Sequence, residues 1–339
     1  MEKSEKIIET KSNEEVFEEK VVEASKKITN VIDEVHKKIV WQDNLIKSML
    51  IWLLSKWHVL IEWVPWLAKT LTVDTLSKTL DLGFNRVQFT PDLLPSDLVW
   101  TEIYNQKTWE FLIKKWPIFN NFILADEINR APSKVQSALL EAMAEKHITI
   151  WKETFNLDEP FMVLATQNPI EQTGTYRLPE AQLDRFMMKV NVDYSSKEEE
   201  MQMYKKLNDN FENIKINKVL NKKQIKEIQV VLKDIYVSDN IYEYVTDIIE
   251  STRNPDKHWL ESISKYLSYW ISPRGGLSLI SWAKVLALMD SRSFVTPEDI
   301  KKIAKMVLSH RLVLNYEAVV NDITSDDIVK EILDSIKVV

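Results

Sequence analysis

Short apolar runs alternate with amphipathic segments along the first 194 residues. Three of the five short runs are almost continuously apolar, which is typical of strands buried on both faces of a sheet. Apolar positions spaced three and four apart predict helices between the runs. This alternation predicts an α/β fold built on a parallel sheet. The predicted strands are 58–62, 86–90, 122–126, 161–166 and 187–192, and the helices between them are 69–80, 133–146 and 179–185.

The pattern changes on both sides of this region. Apolar positions from Val16 to Val35 recur at helical spacing and predict an N-terminal helix. Segment 91–121 contains three prolines and breaks the alternation, so we interpret it as an insertion. From Ser195 onward Lys, Glu and Asn become frequent and helical periods dominate. The helices predicted there are 196–208, 222–235, 240–254, 276–290 and 297–309.

These changes predict three parts: an N-terminal helical segment at 1–40, an α/β core at 41–194, and a helical domain at 195–339. The stretch from Leu45 to Trp66 is the most apolar, but charged residues interrupt it. We therefore expect a helix, a turn at Lys56 and Trp57, and a buried strand there, and no membrane span.

Composition narrows the class of protein. The net charge of −7 gives no general basic surface for nucleic acid. The 339 residues contain no cysteine, which fits a reducing, cytoplasmic location, and five scattered histidines that show no metal-ligand spacing. The N-terminus is rich in Lys and Glu and lacks the apolar core of a secretory signal.

Residues 62–70 lie between a predicted strand and a predicted helix. They would form a phosphate-binding loop of the pattern G-x-x-G-x-A-K-T if Trp63 and Trp66 were glycine. Such a loop turns its amide N–H groups inward around phosphates, and glycine allows the close approach. With tryptophan at both positions, we expect the loop not to hold a nucleotide.

Glycine is scarce along the whole chain. There are 4 glycines and 12 tryptophans, and 4 in 339 is far below the usual share of about 7%. Our hypothesis is that UGA codons, which some bacterial lineages read as glycine, have been translated as tryptophan. The alternative is that the tryptophans are genuine. Ten lie at expected turns or breaks: Trp41, Trp57, Trp63, Trp66, Trp100, Trp109, Trp116, Trp151, Trp259 and Trp270. Trp52 and Trp282 lie within helical patterns.

Two pairs of residues carry candidate chemistry. Lys69 and Thr70 begin the helix after the loop, where Lys would contact the β- and γ-phosphates and Thr would contact Mg²⁺. Asp126 and Glu127 end a buried strand, at the ligand-binding edge of an open sheet. Asp126 would hold Mg²⁺, and Glu127 would orient or deprotonate the attacking water. Alone, each pair also fits an ordinary solvated helix face or an acidic loop. Together, in this order and with glycine at 63 and 66, they predict a nucleotide site.

From roughly Thr29 to Leu314 the chain resembles the MoxR family of AAA+ ATPases. The family's glycine positions are mostly tryptophan here. The matching stretches are 41–43, 58–70, 89–97, 101–104, 125–132, 136–143, 165–172, 178–186 and 272–274. The resemblance implies a P-loop AAA+ core, with a five-stranded parallel sheet flanked by helices and a helix-2-type insert at about 91–121, and a smaller all-α lid domain.

The resemblance also implies site residues. Asn168 matches sensor 1, Arg185 the arginine finger that completes a neighbour's site, and Arg274 sensor 2 in the lid. Without the resemblance, Asn168 would be interpreted as a turn residue, Arg185 as a surface arginine and Arg274 as an arginine at a helix start. The implied nucleotide-binding residues are Trp63, Val64, Pro65, Trp66, Leu67, Ala68, Lys69, Thr70 and Asp126, and the implied Mg²⁺ ligands are Thr70 and Asp126.

By resemblance, the chain is expected to hydrolyse ATP with Mg²⁺ as part of a homo-oligomeric ring, a hexamer. It would act as a chaperone-like remodelling or maturation factor for protein complexes, with a von Willebrand A-domain protein as a possible client or partner. Three alternatives stay open. The chain is a scaffold that binds no nucleotide if the tryptophans are genuine, a chelatase-like motor for cofactor insertion, or a nucleic-acid-directed motor, against which the net charge weighs.

Overall fold

The computed structural model describes residues 13–39, 43–63, 68–105, 110–115, 117–150, 153–167, 175–176, 178–179, 186, 188–192, 197, 201 and 214–337. A sheet of five parallel strands forms its centre, in the spatial order β2–β5–β8–β1–β9. The five-stranded parallel sheet predicted from the sequence is therefore confirmed. Its strands are β1 (Val59–Trp63), β2 (Phe84–Gln88), β5 (Phe122–Asp126), β8 (Met162–Gln167) and β9 (Met188–Val192).

Alternate residues of strands β1, β5 and β8 enter two different hydrophobic cores. Leu60 of β1 packs on the face that α5 (Ser133–Glu145) covers, whereas Val59 and Ile61 face the opposite core. Successive side chains of a strand point to opposite faces, so a strand covered on both sides needs an apolar residue at nearly every position. This requirement explains the near-continuous apolar runs in the sequence.

The larger core joins the sheet to helices that precede and follow it in the chain. It contains buried residues of α1 (Asn13–His36), α2 (Asp43–Ser55) and α3 (Ala68–Thr79), together with residues of the helical lid. The predicted N-terminal helix and the predicted helix–turn–strand at residues 43–63 are confirmed. Lys56 makes the turn with a positive φ of 61°.

Strand β2 differs most from its predicted bounds, whereas β1 and β8 are each displaced by one residue. The sequence pattern places it at 86–90, but pairing with β5 runs from Phe84 to Gln88. The Phe89 N–H still donates to the Asp126 carbonyl at 2.8 Å, but the strand ends before Pro91, which has no N–H to donate.

Segment 91–121, which we interpret as an insertion, contains a helix and a hairpin that its prolines made hard to predict. Helix α4 (Pro95–Val99) leads into an antiparallel hairpin of β3 (Trp100–Asn105) and β4 (Glu110–Lys115). A second hairpin, β6 (His147–Ile150) with β7 (Glu153–Asn156), lies on either side of Trp151, one of the tryptophans expected at a turn or break. Its turn residues, Trp151 and Lys152, lie outside the described residues.

The C-terminal part is a helical lid with a short two-stranded ribbon. Four predicted helices are present within three residues of their expected bounds. Residues 180–185 of predicted helix 179–185 and most of predicted helix 196–208 lie outside the described residues. The lid elements are α6 (Lys222–Asp234), α7 (Asp239–Arg253), α8 (Glu261–Ser264), β10 (Leu267–Tyr269), α9 (Pro273–Met289), α10 (Pro297–Leu308), β11 (Val313–Leu314), α11 (Tyr316–Val320) and α12 (Ser325–Ser335).

The tryptophans fall into different environments. Trp52 in α2 and Trp282 in α9 are fully buried, as suits an indole within a helix. Trp259 caps a 3-10 helix with φ 60°, and its side chain is 91% exposed. Positive φ favours glycine, so the backbone at 259 suits glycine better than tryptophan.

None of the helices in the described ranges is both long and apolar enough to span a membrane.

Candidate active site

The candidate site lies at the carboxyl edge of the central sheet. Because the strands are parallel, β1, β5 and β8 all end at this edge, and ligands of open α/β sheets bind there. Helix α3 begins at Ala68, soon after β1 ends at Trp63. Thr70 lies half-buried in the first turn of α3, where backbone N–H groups of a helix attract anions.

Asp126 ends β5, and its carboxylate is held from two neighbouring strands. The Thr166 hydroxyl on β8 donates to Oδ1 at 2.6 Å. The Arg86 guanidinium on β2 donates to Oδ2, from Nη2 at 2.5 Å and from Nε at 3.2 Å. The carboxylate is only 13% exposed, so these charge-assisted bonds give it one orientation.

Glu127 follows in a left-handed backbone conformation, with φ 56° and ψ 49°. A non-glycine residue adopts this region rarely, and such residues cluster at functional sites. Its N–H donates to Thr166 Oγ1 at 3.0 Å, and its Oε2 accepts from Gln88 Nε2 at 3.0 Å and lies 3.1 Å from Arg130 Nε. The carboxylate stays partly exposed, so water can reach it.

Gln136 fixes the backbone that follows Glu127. Its fully buried amide nitrogen lies 3.1 Å from the carbonyl oxygens of Ile128, Ala131 and Tyr176 and donates to them. The N–H of Tyr176 also donates to the Asn129 carbonyl at 2.7 Å. The turn that carries Glu127 is therefore anchored to α5 and to residue 176.

The oxygen atoms at this edge suit a magnesium ion. Mg²⁺ prefers carboxylate, hydroxyl and phosphate oxygens and is bound through one or two carboxylates. Asp126 supplies a nearly buried carboxylate, and Thr70 supplies a hydroxyl on the neighbouring helix. The donor set predicted from the sequence thus fits Mg²⁺ chemistry.

The structure brings some of the predicted site residues to one edge and leaves others undescribed. Asp126, Glu127 and Thr70 belong to elements that meet at the carboxyl edge. Arg274 lies exposed in the first turn of the lid helix α9, where its N–H donates to Ser272 Oγ at 3.3 Å. The predicted residues outside the described ones are Val64, Pro65, Trp66, Leu67, Asn168 and Arg185, and the side chains of Trp63, Ala68 and Lys69 are also outside them.

Sequence reasoning missed the partners of the two carboxylates. Thr166 ends the apolar run of β8, and a polar residue at a strand end was the available signal. Arg86 and Gln88 alternate with buried Val87 on β2, so both occupy one exposed face of that strand. Their role depends on β2 lying beside β5, which the sequence does not reveal.

Comparisons with known proteins agree with this architecture. Residues 58–188 match the model of the ATPase family associated with various cellular activities (AAA), and residues 261–332 match the AAA lid domain. The chain is 42% identical to Chaperone MoxR1 of Mycobacterium tuberculosis over 91% of this chain and 81% of that protein. It is 39% identical to the protein YeaC of Bacillus subtilis, over 91% and 93%.

A solved structure extends the agreement to three dimensions. The crystal structure of a candidate ATPase from Cytophaga hutchinsonii superposes with a TM-score of 0.92 at 47% identity, covering 96% of this chain and 98% of that one. The chain therefore belongs to the MoxR family of AAA+ ATPases, which hydrolyse ATP to ADP and phosphate.

Proposed function

We propose that this ATPase binds ATP between residues 63–70 and Asp126 and uses Glu127 to activate water. The observation that carries this proposal is the pair of consecutive acidic residues at the end of β5, where the Thr166 hydroxyl donates to the Asp126 carboxylate and accepts from the backbone N–H of Glu127. One carboxylate is nearly buried and the other is open to water, so the two can serve different functions.

The roles follow from the chemistry of each group. Thr70 and Asp126 would hold Mg²⁺, which supplies charge neutralisation for the phosphates. Lys69 would contact the β- and γ-phosphates. Glu127 accepts a proton from, or orients, the water that attacks the γ-phosphate, while Gln88 keeps its carboxylate turned toward the edge.

Three further residues complete the proposed site. Asn168 follows β8 and would bond the γ-phosphate or the water. Arg274 would report the nucleotide to the lid from the start of α9. Arg185 would act in the site of a neighbouring copy, because a planar, permanently charged guanidinium stabilises the transferring phosphoryl group.

A finger supplied by a neighbour requires a ring, and we take the ring to be a hexamer. The proposed work is chaperone-like remodelling or maturation of protein complexes in the cytoplasm, with a von Willebrand A-domain protein as partner. The relative in M. tuberculosis is named a chaperone, which supports this class of work. We also propose that the chain is divided into an N-terminal helical segment at 1–40, an α/β core at 41–194 and a helical lid domain at 195–339.

We also propose glycine as the natural residue at 63 and 66. The left-handed backbone at Trp259 supports the same reading for a third tryptophan. Mass spectrometry of the natural protein decides this directly, because each glycine lowers the mass by the difference between an indole side chain and a hydrogen atom.

Binding of a fluorescent ATP analogue tests the site. The chain with tryptophan at 63 and 66 should bind none, and Trp63→Gly with Trp66→Gly should restore micromolar binding. Lys69→Ala in that restored chain should abolish it again. Retained affinity after Lys69→Ala contradicts the proposed loop, and equal binding by the chain with both tryptophans contradicts the role given to glycine.

A further inference from the structure

A buried arginine of the lid reaches into the core. Arg311 ends a 3-10 turn, Ser309–Arg311, that follows α10, and it is 8% exposed. Its Nη2 donates to the Phe186 carbonyl at 3.0 Å and lies 3.4 Å from Ser278 Oγ on α9. Its Nε donates to the Val307 carbonyl at 3.1 Å. One guanidinium thus joins two lid helices to a core residue 125 positions earlier.

The chemistry of this contact makes arginine hard to replace. A buried charge is unfavourable unless its donors find acceptors, and here three different segments supply them. The planar fork donates in several directions at once, which a lysine ammonium on a flexible stem does not reproduce. Shortening or neutralising the side chain leaves the Phe186 carbonyl without this donor.

The core residue that Arg311 holds has a particular place in the chain. Phe186 directly follows Arg185, the proposed finger, and its own side chain is fully buried in the smaller core. The Phe186 carbonyl accepts a hydrogen bond from the lid, whereas the Phe186 ring packs in the smaller core beside the sheet. Ser278, the second acceptor of Arg311 Nη2, lies one helical turn after Arg274 on α9.

We propose that Arg311 is a positioning residue that couples the lid of one subunit to the arginine finger the same subunit offers its neighbour. The inference rests on the proposed function of Arg185 in trans. When the lid moves with nucleotide state, Arg311 carries the displacement of α9 and α10 to the backbone at Phe186. The neighbour's site then receives its finger only when this subunit's lid is in the matching position.

The expected effect on turnover is large, because catalysis is sensitive to small displacements. Misplacing a catalytic group by about 1 Å costs on the order of 100-fold in rate. Complete loss of an arginine finger costs roughly 10³- to 10⁵-fold. A loosened finger should therefore lower kcat by about 100-fold while ATP affinity in the subunit's own site stays within about threefold.

The test uses the full chain carrying Trp63→Gly and Trp66→Gly. Arg311→Met and Arg311→Lys are compared with Arg185→Ala for ATP-analogue affinity, kcat and assembly. Arg253→Met is the matched control. Arg253 donates from Nε and Nη2 to the Ile271 carbonyl at 3.2 and 3.1 Å, so it makes a similar contact that stays within the lid. We expect Arg253→Met to keep kcat within about threefold.

Mixing experiments distinguish action on the neighbour from action on the subunit itself. Lys69→Ala subunits offer an intact Arg185 but have no working site. Adding them to Arg311→Met subunits should restore turnover, as it should for Arg185→Ala. If Arg185→Ala is rescued and Arg311→Met is not, Arg311 acts on its own site and the proposal is overturned.

The remaining outcomes are also decisive. Full turnover in Arg311→Met, or an equal loss in Arg253→Met, overturns the coupling. Should Arg311→Met fail to assemble, Arg311→Lys carries the same comparison, because it keeps the charge and most of the volume. If Arg185→Ala itself keeps normal kcat, the finger in trans is wrong and the coupling is overturned with it, a result distinct from failure of Arg311 alone.

Discussion

Trp259 shows how one backbone angle bears on the identity of a residue. It lies at the end of the 3-10 helix Pro255–His258 in the left-handed region, with its indole in solvent. For a side chain with a Cβ this region costs roughly 1–2 kcal/mol, and glycine avoids that cost. We expect Trp259→Gly to raise the free energy of unfolding by about 1 kcal/mol in urea titration.

Trp270 provides the control for that prediction. It is also exposed, at 59%, but it is not among the described residues with positive φ. Trp270→Gly should bring no gain, because it relieves no backbone strain and adds freedom to the unfolded chain. Equal stabilisation by both substitutions would show that removing an exposed indole, and not the backbone at 259, is responsible.

Glu127 carries the second prediction at the scale of one residue. In the chain with Trp63→Gly and Trp66→Gly, Glu127→Gln should bind ATP with parental affinity and lose hydrolysis by at least about 100-fold. The amide keeps the shape of the side chain but does not accept the proton. Phosphate release and ATP-analogue binding measure the two properties. Glu243→Gln on the exposed face of α7 should change neither, and normal turnover in Glu127→Gln would remove Glu127 from the mechanism.

The two carboxylates were predictable from the sequence, but their surroundings were not. Apolar runs that end in Asp126 and Glu127 indicate a strand end, and strand ends of a parallel sheet share an edge. Arg86 and Thr166 reach Asp126 only because β2 and β8 flank β5. That order is set by tertiary packing, and no local spacing in the chain records it.

At the scale of elements, His58 lies directly before β1 and its ring hydrogen-bonds to both β8 and α5. Its Nδ1 accepts from the Val163 N–H of β8 at 3.0 Å, and its Nε2 lies 3.1 Å from the Met143 carbonyl of α5. The accepted bond at Nδ1 places the ring proton on Nε2, which donates to Met143. Burial lowers the pKa of His58 from 6.5 to about 4, so the folded protein keeps the ring neutral.

This pKa shift predicts a pH dependence of stability. The unfolded histidine takes up a proton below pH 6.5, whereas the folded one does so only near 4. The contribution of the neutral His58 ring to the free energy of unfolding is therefore fully present above pH 6.5. It decreases by about 3 kcal/mol as the pH falls toward 4. Urea midpoints between pH 7 and 5 should fall in the parent and fall less steeply in His58→Gln. His147→Gln on β6 should keep the parental slope, and an unchanged slope in His58→Gln would contradict the assignment.

The elements differ in how readily the sequence reveals them. Strands β1, β5 and β8 are predicted from the sequence because both of their faces are buried. Burial on both faces requires nearly continuous apolar runs, and such runs are easy to recognise. The hairpin of β3 and β4 was not predicted, because neither six-residue strand alternates regularly between apolar and polar residues and the flanking prolines, Pro95 and Pro117, indicate loops. The ribbon of β10 and β11 has three and two residues, too few to establish a period of two.

At the scale of the whole molecule, α1 binds both the core and the lid. Ser25 Oγ donates to the Met289 carbonyl at the end of α9 at 2.9 Å. Glu34 Oε1 accepts from the N–H and Nδ2 of Asn217 at 2.9 and 3.1 Å. Segment 214–220 leads into the lid, and the Val219 N–H donates to the Thr79 carbonyl at the end of α3. The chain that enters the lid is thus held from two helices.

Glu34 is a buried carboxylate whose charge is kept by its partners. Burial by itself raises the pKa of Glu34, but hydrogen bonds from Lys37 and Asn217 outweigh it and lower the pKa. The resulting stabilisation is present above the ordinary glutamate pKa and is lost as the pH falls through the lowered value. At neutral pH the contact therefore contributes fully to holding segment 214–220.

Glu34→Ala should loosen the entry to the lid more than it unfolds the molecule. Two Asn217 donors lose their acceptor, which costs about 1–3 kcal/mol of global stability. Amide exchange at Asn217 should accelerate by at least 10-fold at neutral pH, because its N–H loses its partner directly, whereas Val219 keeps its bond to Thr79 and changes less. Glu23→Ala is the matched control, since Glu23 lies exposed on the same helix and pairs with Lys27. A uniform acceleration across the lid would show that α1 acts by general packing, and unchanged exchange at Asn217 would show that Glu34 does not hold this segment.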